Sequence, residues 1–342
     1  MAIKQVKAVL KYTISLTVAG GLFWYVYKDL DIASSIAKLK GANYSWVFLS
    51  VFLAVISHFI RAYRWNLILE PVTNKPTLSR TFVAVMVGYL ANLVVPRMGE
   101  VSRCGVLKKT DGIPMAVSIG TVVAERVIDL ISLLIIIFVG FMIEFDRLNE
   151  FLSGFVYGKA QSLGENLFIL YILAGFAFVG VVVLFLIFRM FKEKIKKNKL
   201  FLKVRAFIRE IIAGLTSIKN VKNPASFWFC TAMIWILYFF MSYVMVFALS
   251  ATSSLGIGAG IALLIMGGLG MSAPVQGGIG AYHALVTAVL VLYGIPEADG
   301  QVFAFLLHSS QTSMIIVLGS ISLISTLVIK KQPKHEYYAE QR

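Results

Sequence analysis

Six apolar runs constrain this chain more than anything else in it: residues 8–27, 45–68, 114–143, 166–189, 225–249 and 301–329. Each is long enough to cross about 30 Å of hydrocarbon, which takes about 20 helical residues. In lipid every backbone polar group must find its partner inside the chain, so these runs predict helices. The composition agrees: 58% of the residues are hydrophobic and 14% charged, against roughly a quarter charged in soluble domains. The apolar runs are separated by short charged clusters, so no sizeable water-soluble domain is expected. The reading is an all-α polytopic membrane protein, with residues 1–342 forming one transmembrane domain.

Two further apolar regions, 80–110 and 256–294, are interrupted by "VVPRMGE" and "SAPVQGGIG". Proline removes a backbone donor and glycine loosens a helix, so Pro96 and Gly99 in the first region mark a break, as do Pro274, Gly277, Gly278 and Gly280 in the second. Lys4, Lys7, Lys11, Lys75, Arg80, the run "FKEKIKKNKLFLKVRAFIREI" and Lys330–Lys331 mark the cytoplasmic side. Glu144, Asp146, Glu150 and Glu165 fit the opposite side. Residues 80 and 109 then share a side, and 98–109 is too short and too charged to span. Region 80–110 is therefore expected to be a re-entrant hairpin. For 256–294 a hairpin and a pair of full crossings have the same parity, and the hairpin is preferred.

The expectation is six full transmembrane helices plus two broken re-entrant hairpins. Each half, about 5–150 and 160–330, runs helix, helix, hairpin, helix. An odd number of crossings per half makes them a candidate inverted repeat, and broken segments at corresponding positions point to a transporter site near the midplane. Residues 192–222 form a basic amphipathic cytoplasmic connector in the headgroup layer, and 331–342 a cytoplasmic tail. The N-terminal run lacks a clean cleavage site and reads as an uncleaved first helix, with a signal peptide as the alternative. Both termini are placed in the cytoplasm, and the chain in a bacterial inner membrane.

The net charge of +15 flanks apolar spans and lines no soluble face, which argues for lipid headgroups and against nucleic acid. Cys104 and Cys230 are isolated small apolar fillers, so neither a disulfide nor a metal is expected. His58, His283 and His308 show no mutual metal spacing, and no cofactor is expected.

Charge inside the apolar regions carries the functional argument. Arg61 and Arg64 lie near the end of the second run. There arginines can snorkel without function, but the i, i+3 spacing also suits bidentate contact with a phosphate. Arg97, Glu100 and Arg103 follow Pro96; Glu100 and Arg103 could pair with one another and pin the hairpin. Glu125, Arg126 and Asp129 in "VVAERVIDLISLL" lie deep in a helix, with Glu125 and Asp129 on one face. Ionisable groups so placed usually mark a substrate or ion path, the structural alternative being a buried pair such as Asp129 with Arg97. The second break adds Gln276, Tyr282 and His283, and the last run adds His308 and Gln311.

In that order and separation, "RAYRW", "VPRMGEVSRCGVL", "ERVID" and "APVQGGIGAYHALV" resemble the lysylphosphatidylglycerol synthase transmembrane-region family, over about residues 5–330. This flippase-like domain forms the membrane part of the multiple peptide resistance factor and also occurs alone. The resemblance implies movement of a phospholipid or other lipid-linked anion between leaflets. It maps the family's arginine onto Arg64, its P-x-x-G-E-x-x-R hairpin onto Pro96 to Arg103, and its E-R-x-x-D helix onto Glu125, Arg126 and Asp129. Two departures stand out. His283 occupies a position that is commonly acidic in the family, and only a short tail follows Ile329, so lipid aminoacylation is not expected.

The expected function is a lipid translocase, not an enzyme. Its partners would be an anionic phospholipid or polyprenyl-linked lipid and the membrane itself, and a homodimer stays open. A small-solute or ion secondary transporter would use the same broken helices. An intramembrane lipid-modifying enzyme is a third reading, as is a serine protease using Ser272 with His283 or His308, although "GMSAP" is the wrong setting for such a serine.

Overall fold

The computed structural model describes residues 16–73, 76–144 and 220–329. The chain forms two compact units, Met1–Ile137 with Gly214–Arg342 and Phe138–Ala213; the elements that build the site belong to the first. The run 166–189, the connector up to residue 219 and the tail lie outside the described residues. All regular elements among the described residues are helices: α1 (Leu16–Tyr27), α2 (Ile32–Lys40), α3 (Tyr44–Leu69), α4 (Leu78–Val94), α5 (Gly99–Asp111), α6 (Met115–Ile143), α7 (Pro224–Val244), α8 (Ile257–Ser272), α9 (Ala281–Leu292) and α10 (Glu297–Val328).

Among the described residues four spans are long and apolar enough to cross a membrane: Tyr44–Leu69, Met115–Ile143, Pro224–Ala248 and Glu297–Val328. They coincide with four of the six expected crossings; of the run 8–27 the described part is the shorter helix α1. Local chemistry sets the ends. Asn43 caps α3 by accepting the Ser45 N–H at 3.1 Å, and Asn223 caps α7 by accepting the Ser226 N–H at 3.0 Å ahead of Pro224. Gly112, at φ 71, turns the chain from α5 into α6.

Contacts sort the helix ends into two groups. At one end the Asn43 N–H donates to the Ala248 carbonyl at 2.8 Å, and Lys38 pairs with Asp299 at 2.7 Å, which gathers the starts of α3 and α10 with the end of α7. A large core of Ala42, Val47, Met245, Leu255, Val289, Ile295 and Val302 adds the open end of the α8–α9 pair there. At the other end Leu67, Ile68, Val221 and Phe227 pack together, and Asn66 hydrogen bonds to Thr81 and to the Pro76 carbonyl. Arg80 donates to the Thr110 carbonyl at 2.9 Å, closing the open end of the α4–α5 pair at this second end.

Two helical hairpins thus enter the bundle from opposite ends. At ~1.5 Å per residue α4 and α5 reach about 25 and 20 Å, and α8 and α9 about 24 and 18 Å, shorter than the four apolar spans. Glycines let the arms touch: a Cβ on Gly88 would lie 2.9 Å from the Gly99 carbonyl, and one on Gly270 would lie 2.6 Å from the Tyr282 Cα. The tips meet, because a Cβ on Gly277 would stand 2.8 Å from Leu93 Cδ2. Beside them α3, α7 and α10 are tied by a polar relay in which Gln311 donates to Ser50 Oγ at 3.0 Å and Ser50 to the Met241 carbonyl at 2.7 Å.

Candidate functional site

The first hairpin, α3 and α6 converge on Glu125. This residue is about 15 Å beyond the start of α6, and Asp129 about 21 Å, at ~1.5 Å per residue. Glu125 Oε1 accepts Arg61 Nη1 at 2.9 Å and lies 3.4 Å from Arg64 Nη2, while Oε2 accepts Arg103 Nη1 at 3.1 Å. One turn further on, Asp129 takes Arg64 Nη2 at 2.6 Å and Arg61 Nη2 at 3.1 Å. The i, i+3 spacing of the arginines and the i, i+4 spacing of the carboxylates lay two short ladders against each other.

These pairings differ from the sequence expectations. Arg61 and Arg64 do not snorkel; they are buried and turned into the bundle, with donors that already hold carboxylates. Glu100 and Arg103 do not pair with each other. Arg103 is drawn in under α6, with its guanidinium 4.5 Å from the Trp65 ring, and Glu100 reaches Arg126 Nε at 3.3 Å instead. Asp129 is matched by Arg61 and Arg64, whereas Arg97 is exposed at the hairpin tip and has no ion-pair partner among the described residues.

The cluster has an inside and an outside. Arg61, Arg64, Arg103 and Glu125 are at most 5% exposed at the side chain, while Glu100 and Arg126 are 30% and 44% exposed. Four guanidinium groups face three carboxylates, so the cluster carries one surplus positive charge before Arg97 is added. Donors are in surplus too, since Arg103 Nε and Nη2 are buried without a hydrogen-bond partner. Beside them a cleft of about 10 Å³ is lined by Val85, Gly88, Tyr89, Asn92, Gly99, Arg103 and Arg126. That is room for one water or one ligand oxygen.

Several of these contributors were not identified in the sequence. Trp65 stacks on Arg103 and donates its indole N–H to Thr121 at 3.0 Å, and Arg64 Nη1 reaches Thr231 at 3.4 Å. Asn92 accepts the Gly99 N–H at 2.7 Å and so joins the arms across the Pro96 break. Trp65 stands inside the stretch "RAYRW" and Asn92 just before "VPRMGEVSRCGVL"; Thr231 carries no sequence signal.

The second tip has different chemistry. Gly277, Gly278 and Gly280 all adopt positive φ (55, 77 and 81) in a connection that other side chains would strain. A Cβ on Gly280 would lie 2.5 Å from Leu22 Cβ, so α1 packs directly on the backbone there. Gln276, Tyr282 and His283 are buried around this tip, while Pro274 is exposed and stands before the turn. His283 Nδ1 accepts the Gly280 N–H at 3.2 Å, and His308 Nε2 donates to the Gly277 carbonyl at 2.8 Å. Although nothing in their spacing associates these histidines, their rings lie 4.7 Å apart. Ser272 donates to the Gly268 carbonyl at 2.8 Å and has no histidine hydrogen bond among the described residues. No group of three potential metal ligands occurs among the described residues either.

Four apolar spans and a buried charge cluster between them define a multi-pass membrane protein. The family profile of the lysylphosphatidylglycerol synthase TM region matches residues 12–319, and the chain belongs to that family. A UPF0104 membrane protein of Methanocaldococcus jannaschii is 29% identical over 132 residues; the matched stretch covers 38% of this chain and 38% of the relative. No solved structure matches.

Proposed function

We propose that the protein moves a lipid with an anionic headgroup, an anionic phospholipid or a polyprenyl-linked phosphate, between membrane leaflets without changing it chemically. The observation that carries this reading is the surplus in the charge cluster. A cluster with only a structural task needs its charges matched, because an unpaired ion is costly in a low-dielectric interior. Here one positive charge and two Arg103 nitrogens are left over beside a cleft, which suits a phosphate oxygen taking the vacant donors. The exposed Arg126 and Arg97 would draw the headgroup toward the cleft. The matched inner ladder would keep Arg103 in place.

In this reading both hairpins are re-entrant, and α3–α6 and α7–α10 are inverted counterparts whose tips meet near the midplane. Such an arrangement suits alternating access around a fixed site. The protein would lie in the cell membrane with both termini cytoplasmic.

The test is reconstitution into vesicles that carry a fluorescent phosphatidylglycerol, with loss of outer-leaflet signal as the readout. Native protein should equilibrate the leaflets. Arg103→Lys keeps a cation for Glu125 but loses the forked donors, and should slow exchange by about tenfold, the value of roughly one charged hydrogen bond. Native protein no faster than empty vesicles would reject the translocase, whereas an unaffected Arg103→Lys would reject this seat for the phosphate.

A further inference from the structure

The charge cluster leaves the second hairpin tip unexplained. Two imidazoles hold its backbone where no ion pair reaches. His283 is the third residue of α9 and bonds back to the N–H of the residue before the helix, in the manner of one arm of a capping box. His308 comes from the middle of α10 and holds the Gly277 carbonyl. The bonds define the tautomers: His283 Nδ1 is an acceptor and so carries no proton, and His308 Nε2, facing a carbonyl, carries one. With Nδ1 unprotonated, the His283 ring as bonded here is neutral.

We infer that His283 is a proton-binding site whose occupation releases the second hairpin tip. A proton on Nδ1 turns the acceptor of the Gly280 N–H into a donor, so the 3.2 Å bond cannot survive it. His308 differs, because a second proton would enter at Nδ1 and leave its bond to Gly277 in place. The two ties therefore have opposite responses, and the rings are close enough that a charge on one opposes a charge on the other.

The groups facing the pair are uncharged. From α1, Tyr27 and Phe23 lie 5.5 and 5.3 Å from His283 ring to ring, and from α9, Tyr282 lies 5.0 Å from His308. The Tyr27 hydroxyl is engaged by the Gln301 carbonyl at 3.1 Å. Among the described residues no carboxylate pairs with either imidazole, so an added proton has no counter-charge at the tip. The released segment is the glycine turn that α1 presses on at Gly280 and that Leu93 of the first hairpin meets at Gly277. Proton uptake would thereby act on the place where the two hairpins touch.

The inference rests on the translocase reading only for its purpose, and its test uses tip exposure as the readout. Val275 is buried beside the turn. In the full chain in liposomes, with Cys104→Ala and Cys230→Ala, a Val275→Cys thiol is labelled with a maleimide. Its rate is divided by that of the exposed Ser253→Cys at each pH to remove thiol ionisation. The ratio should rise about tenfold as the pH is lowered from about 8 to about 4, a range wide enough to reach an imidazole whose new charge has no counter-charge beside it. His283→Asn keeps an acceptor for the Gly280 N–H without a titrating group and should flatten the profile, whereas His308→Gln keeps the donor to Gly277 and should leave the rise intact. A flat native profile, or a rise that persists in His283→Asn, overturns the proposal. Lipid exchange is measured separately, so failure of one reading leaves the other standing.

Discussion

The two hairpins share a topology and differ in almost everything else. The first is held by charge: Arg103 reaches Glu125 on α6, and Glu100 reaches Arg126 on the same helix. The second is held by close backbone approach and two imidazoles, with three glycines in the turn. At its own turn the first hairpin keeps a non-glycine residue, Arg97, at φ 61. The contrast teaches that a broken helix deep in a bundle can be fixed in two ways, with different consequences. Charge ladders fix one tip and leave arginine donors over. Neutral contacts fix the other tip, where one proton on His283 would remove one tie and leave the other.

The largest effect should come from breaking the ladder. Glu125→Gln leaves the positive charges of Arg61, Arg64 and Arg103 opposed inside by Asp129 alone, and should lower stability by roughly 3–5 kcal/mol, the usual result of removing one partner of a buried ion cluster. Arg126→Gln on the exposed rim should cost less than about 1 kcal/mol. Denaturation of the purified protein in detergent measures both. Similar losses for the two would remove the distinction between an inner structural ladder and an outer working rim.

The second tip should break on shape. Gly280→Ala places a methyl 2.5 Å from Leu22 Cβ and 2.8 Å from the Phe23 nitrogen, at φ 81. Gly112→Ala has a similar φ of 71 but open space around it, so it isolates the backbone cost of roughly 1–2 kcal/mol. Gly280→Ala should exceed that control, because α1 must also move. Equal melting shifts would mean that α1 does not clamp the tip.

The parts legible in the sequence are those governed by local rules. Apolar length gave four spans that coincide with helices, and Pro96 with Gly99 and the glycines after Pro274 marked both turns. The same spacing logic brought Arg61, Arg64, Glu125 and Asp129 forward as candidates. It could not say that they face each other, because partners 61 to 68 residues apart are chosen by helix packing. Glu100 with Arg103 was the plausible local pair, yet the stack on Trp65 and the reach to Glu125 prevailed. His283 and His308 were candidates too, but their proximity escaped for the same reason: 25 residues and a tight turn separate rings that end 4.7 Å apart.

The smallest effect bears on why the first tip keeps Arg97. A non-glycine residue in the left-handed region costs on the order of 1 kcal/mol, and an exposed side chain without an ion-pair partner offers little packing in return. Arg97→Gly should therefore stabilise the protein by up to about 1 kcal/mol. If the guanidinium serves to attract an anionic headgroup, the same variant should exchange lipid more slowly, with the loss shrinking as salt rises because an exposed charge is screened. A more stable protein with slower, salt-sensitive exchange would give the strained arginine a functional reason. Exchange unchanged at low salt would leave the first tip with a conformational oddity and confine the cargo's contacts to Arg103 and Arg126.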